Sequence, residues 1–178
     1  MRIGYFDCFS GVSGDMILGA LVDAGLKVEE LQAAISSLAV PGIHLSAERV
    51  KRGDFVGTRV HVRTDEQGHP GRHLPDLEAI LDRADIPDPV RTDAKRIFRR
   101  LAEAEAAAHG VTPERIHFHE VGSLDAMADV VGAAWGIRRL GLERLHVSPI
   151  NLGGGFIRAA HGQMPVPAPG TAALLIGA

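Results

Sequence analysis

The sequence predicts an α/β fold, with a mainly parallel sheet flanked by helices and an inserted antiparallel β-hairpin. Three observations carry this. Short apolar runs alternate with stretches of helical period, the order that builds parallel sheets. Two alternating apolar/polar runs flank Gly53-Asp54, a hairpin signal. Glycine-rich turns follow the first and last strand-like runs, where sites form in such folds.

Taken in order, Arg2 to Asp7 reads as a first strand. Asp7-Cys8-Phe9-Ser10-Gly11-Val12-Ser13-Gly14-Asp15 follows it, then a helix from about Gly14 to Ala24, with Ser13 as N-cap and Gly25 as the stop. A second helix runs from about Val28 to Leu38, ended by Pro41-Gly42. Leu45 to Arg52 and Phe55 to Thr64 form the hairpin. Asp65 to Pro75 is a loop carrying His69 and His73, and a helix of about Leu77 to Ala84 comes next.

Pro87-Asp88-Pro89 starts a helix, with Asp88 as N-cap and Pro89 in the first turn. Val90, Ala94, Ile97, Leu101, Ala104 and Ala108 then repeat at helical spacing up to Gly110. Arg115 to His119 reads as a short strand, and Leu124 to Leu140 as a helix whose Asp125, Asp129, Gly132 and Gly136 lie on one stripe. Such small residues admit a neighbouring backbone. Glu143 to Ile150 is a further strand running into Asn151-Leu152-Gly153-Gly154-Gly155, and Thr171 to Ile176 begins a last helix.

The totals bound the function. A chain of 178 residues, 46% hydrophobic and 23% charged, fits a single α/β domain with a substantial core. A net charge of −3, without a basic run, and only 4% aromatics give no footing for nucleic acid. The single cysteine, Cys8, excludes an internal disulfide and fits a reducing cytosol. No apolar run is long enough for a membrane span and no export signal is readable, so the expected setting is cytoplasmic, without a membrane partner.

Chemistry concentrates in His117-Phe118-His119-Glu120-Val121-Gly122-Ser123-Leu124-Asp125-Ala126-Met127-Ala128-Asp129. On a strand His117 and His119 share a face, and on a helix Asp125 and Asp129 share one. Two imidazoles and neighbouring carboxylates suit a borderline divalent metal. Glu120 serves equally as a ligand or as a group that orients a histidine. Asp7 and Asp15 flank a glycine turn whose backbone N–H groups suit an anion, and the two acids favour a metal or a metal-bound phosphate there. Ordinary turn and capping chemistry is the alternative reading of that loop. The turn lacks the Lys-Ser/Thr of a phosphate-binding Walker loop and the spacing of a dinucleotide fingerprint. No nucleophile elbow is present, which excludes the usual serine hydrolase.

Together the motif Asp7 to Met16, the motif His117 to Gly122 with Asp125 and Asp129, and the run Ser148 to Asn151, Gly153 to Gly155 and His161 to Pro169 resemble the LarC family of nickel insertion proteins. The resemblance covers essentially the whole chain, including a histidine-containing loop at His69 and His73. It implies that the chain corresponds to the N-terminal region of a longer protein whose C-terminal, CTP-associated domain is absent. It implies insertion of nickel into pyridinium-3,5-bisthiocarboxylic acid mononucleotide to complete the nickel-pincer nucleotide cofactor. This would be a CTP-dependent cyclometallation by a nickel chelatase or cyclometallase-type lyase, with Mn or Mg accompanying CTP through the C-terminal region. The sulfurs come with the organic ligand, which agrees with a chain holding one cysteine.

On the matching positions, the expected metal residues are His117, His119, Asp7, Asp15 and Asp129, and the expected catalytic residues Glu120 and Asp125. The expected nucleotide-binding residues are Gly11, Ser13, Gly14, Asn151, Gly153, Gly154 and His161. Expected partners are the mononucleotide, nickel and a C-terminal region or chain; a homo-oligomer is compatible with the sequence. Two alternatives stay open: a nickel delivery module without catalysis, and a metal-dependent phosphohydrolase.

Overall fold

A computed structural model describes residues 1–65, 71–118, 123–159 and 162–177. The predicted α/β character holds. The strands are β1 (Arg2–Phe6), β2 (Ile43–Arg52), β3 (Phe55–Thr64), β4 (Leu142–Val147), β5 (Phe156–Ala159) and β6 (Gly162–Pro165). The helices are α1 (Gly14–Asp23), α2 (Val28–Ser36), α3 (Leu74–Arg83), α4 (Asp88–His109), α5 (Leu124–Arg139) and α6 (Pro169–Leu175). The parallel sheet consists of β1 and β4, while β2 pairs with β3 and β5 with β6 as antiparallel hairpins.

Amphipathic helices supply most of the core. Leu74, Leu77 and Leu81 of α3, Val90, Ala94, Phe98 and Ala102 of α4, and Met127, Ala128 and Val131 of α5 form one buried cluster. Leu18, Leu21, Leu26, Leu31 and Val60 form a second, between α1, α2 and β3. The helix expected over this stretch is α4, but its buried face is shifted: Val90, Ala94 and Ala104 point inward as read, Phe98, Ala102 and Ala106 take the places of Ile97, Leu101 and Ala108, and Ile97 and Ala108 are exposed. Gly110 closes that helix in the left-handed conformation. The small residues on α5 do make room for a neighbour, but it is leucine side chains rather than a backbone that fill it. A Cβ on Gly132 would meet Leu18, and one on Gly136 would meet Leu21 and Leu26. The matching order along the two helices shows α1 and α5 packed parallel, with their N-termini at the same end.

Four local expectations change. Arg115 to His119 is not a strand through its described part: Pro113–Arg115 makes a 3-10 turn, and Phe118 makes a single antiparallel bridge to Arg72. The cause is the partner segment, which turns into α3 at Leu74 directly after the bridge and leaves no ladder to extend. Ile116 and Phe118 are both drawn into the helical cluster, leaving His117 between them on the outside. The strand expected over Glu143 to Ile150 ends at Val147, where Ser148 turns to cap Cys8. Ser13 occupies the N-cap of α1, but its hydroxyl donates to Asp15 rather than capping the backbone. Pro87, not Asp88, is the N-cap residue of α4. Among the described residues, no helix is long and apolar enough to cross a membrane.

Candidate functional site

The parallel packing of α1 and α5 places two similar helix starts side by side. Each begins with serine and carries aspartate two residues later. Ser13 and Ser123 each donate a hydroxyl hydrogen bond to the following aspartate, Asp15 or Asp125. That aspartate also accepts from the next backbone N–H, at 2.9 Å from Met16 and 2.9 Å from Ala126. Both acids therefore sit at positive helix ends, which stabilise carboxylates.

Asp129, one turn into α5, is in a different position. Its side chain presses on Gly14, where a Cβ would overlap the carboxylate. This close approach is why position 14 carries glycine. Oδ1 is shut off from solvent and has no hydrogen-bond partner among the described residues. Burial first, then the charges of Asp15 and Asp125, push the Asp129 carboxyl up to about 7 from an ordinary value of 3.8. Three acids named from sequence thus influence one another electrostatically at one corner.

The two glycine loops also meet. Beyond β1, Cys8 N–H donates to Ser148 Oγ at 2.8 Å, and Cys8 O accepts from Asn151 N–H at 3.1 Å and Gly11 N–H at 3.0 Å. Asn151 Nδ2 donates to Phe9 O at 3.0 Å, while its Oδ1 accepts from Gly153 N–H at 3.0 Å. Asn151 is thus a clamp between the loops, both of which lie beyond the C-terminal ends of parallel strands. Asp7, Ser13, Asn151, Gly153 and Gly154 are exposed there, with Gly11 half-buried.

A histidine pair stands at the entry to α3. Residues 71–73 run antiparallel beside 116–118, with Phe118 N–H donating to Arg72 O at 3.0 Å. His73 and His117 lie with ring centroids 4.9 Å apart, tilted by 47°. Glycine at 71 again has a packing cause, because a Cβ there would overlap the His117 ring. His73 Nδ1 lies 2.8 Å from Ile116 O. A carbonyl only accepts, so Nδ1 carries the hydrogen and the neutral ring keeps its lone pair at Nε2, the form that binds metals. His73 N–H also donates to Asp76 Oδ2 at 2.8 Å.

Residue types alone made His73 an ordinary loop residue. Its neighbour is 44 positions away, so the signal available in sequence was only its place in a histidine-containing loop. His119, Glu120, His161 and His69 lie outside the described residues, as does the segment 119–122 joining His117 to α5. Among the described residues, no three His, Cys, Asp or Glu side chains close into a ready metal cage.

The family model described as nickel insertion protein matches residues 4–178. The chain belongs to the nickel insertion protein family. A Desulfitobacterium hafniense protein named pyridinium-3,5-bisthiocarboxylic acid mononucleotide nickel insertion protein is 50% identical over 177 residues, covering 99% of this chain and 44% of that protein. A Roseiflexus castenholzii protein, provisionally named for nickel insertion, is 52% identical over 174 residues, covering 98% of this chain and 44% of its own length. One from Syntrophobacter fumaroxidans, also provisionally so named, is 47% identical over 177 residues, covering 99% and 45%. The chain therefore spans less than half the length of these family members. No solved structure matches it.

Proposed function

We propose that this chain forms the part of a nickel insertion enzyme that holds nickel against pyridinium-3,5-bisthiocarboxylic acid mononucleotide and accepts the proton displaced from its ring. The observation that carries the reading is Asp129: a half-buried carboxylate with one oxygen unpartnered among the described residues, close to two other aspartates at two helix starts. Nickel is the cargo. His117 and His73 supply imidazole nitrogens, with His119 added from the sequence, and Asp7 and Asp15 supply oxygens. The glycine turns at Gly11 to Gly14 and Gly153 to Gly154, with Asn151, receive the nucleotide's phosphate, and His161 joins them by the family resemblance alone.

Cyclometallation replaces a ring C–H by a C–Ni bond, so one proton must leave. A base poised near neutrality suits that step. Asp129 fits better than Asp125, whose carboxylate already accepts two hydrogen bonds. Glu120 remains a second acceptor by sequence. The all-oxygen carboxylate corner also suits Mn or Mg, which would screen negative charge when bound. CTP hydrolysis belongs, by the family resemblance, to the polypeptide outside the spanned region. A cytoplasmic setting and the lyase class belong to the same reading.

The test is single-turnover formation of the nickel–carbon species by the full-length D. hafniense relative with nickel, mononucleotide, CTP and Mn. Asparagine at the position of Asp129 should lower the rate about 100-fold or more while nickel still binds. An unchanged rate removes Asp129 from the chemistry. A chain that binds nickel while full-length protein shows no turnover supports delivery instead.

A further inference from the structure

The β1–β4 ribbon is incomplete as a piece of protein architecture. Among the described residues neither strand meets a third, so each keeps one open edge. In a parallel pair, opposite residues share a face. Ile3 and Tyr5 therefore lie with Arg144 and His146, while Phe6 lies with Leu145 and Val147. Apolar groups are exposed on both sides: Tyr5 is 65% exposed and Ile3 51% on one face, Val147 54% and Leu145 43% on the other. Phe9, in the loop that leaves β1, is also largely exposed. Parallel strands occur with both faces covered, and a lone two-stranded ribbon is marginal in water. Exposed apolar area of this kind marks an interaction surface.

We infer that this ribbon is the nucleus of a larger sheet. In full-length family members it is completed by the polypeptide they carry outside the region this chain spans, which pairs with the open edges and covers both faces. Length supports this occupant, since 44% coverage of two relatives leaves more than half of each for added strands and helices. A second copy fits less well. A two-fold pairing satisfies one edge or one face and leaves the other open. The consequence for the site is direct, because the Asp7 and Asn151 loops leave the C-terminal ends of these two strands. Covering the ribbon would fix both loops. The inference rests on family membership and exposure, and stands or falls separately from the nickel chemistry.

Amide hydrogen exchange tests it on two proteins: this chain alone and the full-length D. hafniense relative, each at two concentrations with the oligomeric state measured. In the chain alone, ribbon amides at Gly4 to Phe6 and Leu145 to Val147 should exchange about 100-fold or more faster than those of α4. In the full-length protein the matching amides should slow to the level of α4, independent of concentration. Equal fast exchange in both proteins would overturn the inference, as would protection in the monomeric chain alone. Protection in either protein that fades on dilution would overturn it too, by naming a second copy as the cover.

Discussion

The helical body and the β1–β4 ribbon with its loops obey different rules. In the body, Phe98, Leu31, Leu81, Met127 and Val131 are fully buried, and α1 and α5 interlock at Gly14, Gly132 and Gly136. In the ribbon, alternate apolar residues face solvent on both sides. The candidate chemistry lies at the seam: Asp129 hangs from a body helix, while Asn151 and Asp7 hang from the ribbon. Rigid support thus comes from one region, and the surface for further polypeptide from the other.

Substitutions of the same kind should divide along that seam. Phe98→Ala should cost about 3–5 kcal/mol in urea unfolding, whereas Tyr5→Ala should stay within about 0.5 kcal/mol in the isolated chain. Equal losses would erase the distinction. Gly14→Ala should cost about 1–3 kcal/mol. Its overlap reaches Asp129 Cβ as well as the carboxylate, so a rotation of the acid cannot relieve it.

Asp129→Asn should act in the opposite direction and only at higher pH. The folded carboxyl sits at about 7, above its ordinary 3.8. Between those values the folded chain keeps a proton that the unfolded chain has lost, so stability falls as pH rises through that window. The variant should be the more stable at pH 8 by on the order of 1–2 kcal/mol, after discounting for the carboxylate's partial exposure, and equal to the parent near pH 3. A parallel offset at all pH values would contradict the assignment. The smallest effect should come from Asp23→Asn. Hydrogen bonding by Thr58, then Arg49, lowers that carboxyl, but the cluster lies on the exposed surface, and salt should mask the change.

Much of the body was legible because its signals are local: the extent of α4 from Pro89 to Gly110, the Gly53-Asp54 hairpin, and acids above glycines on α5. The inward face of α4 was not, because alanine is frequent all round that helix and Ile97 and Phe98 compete for one place in the core. The meeting of Asp7 and Asn151 loops followed from α/β topology. His73 beside His117 was not legible, since it depends on pairing segments 71–73 and 116–118. The β5–β6 hairpin was also missed. Its second strand, Gly162-Gln163-Met164-Pro165, contains the residues that ordinarily mark loops. Nor does the apolar alternation of β1 and β4 say whether anything covers them.

The most direct measurement is nickel titration calorimetry of the chain near pH 6.5, in buffers of different ionisation enthalpy, with His117→Ala and Asp129→Asn alongside. The account expects proton release on binding, a loss of affinity of about 10–100-fold in His117→Ala, and reduced proton release in Asp129→Asn. Unchanged affinity in His117→Ala together with unchanged proton release in Asp129→Asn would show that nickel binds elsewhere.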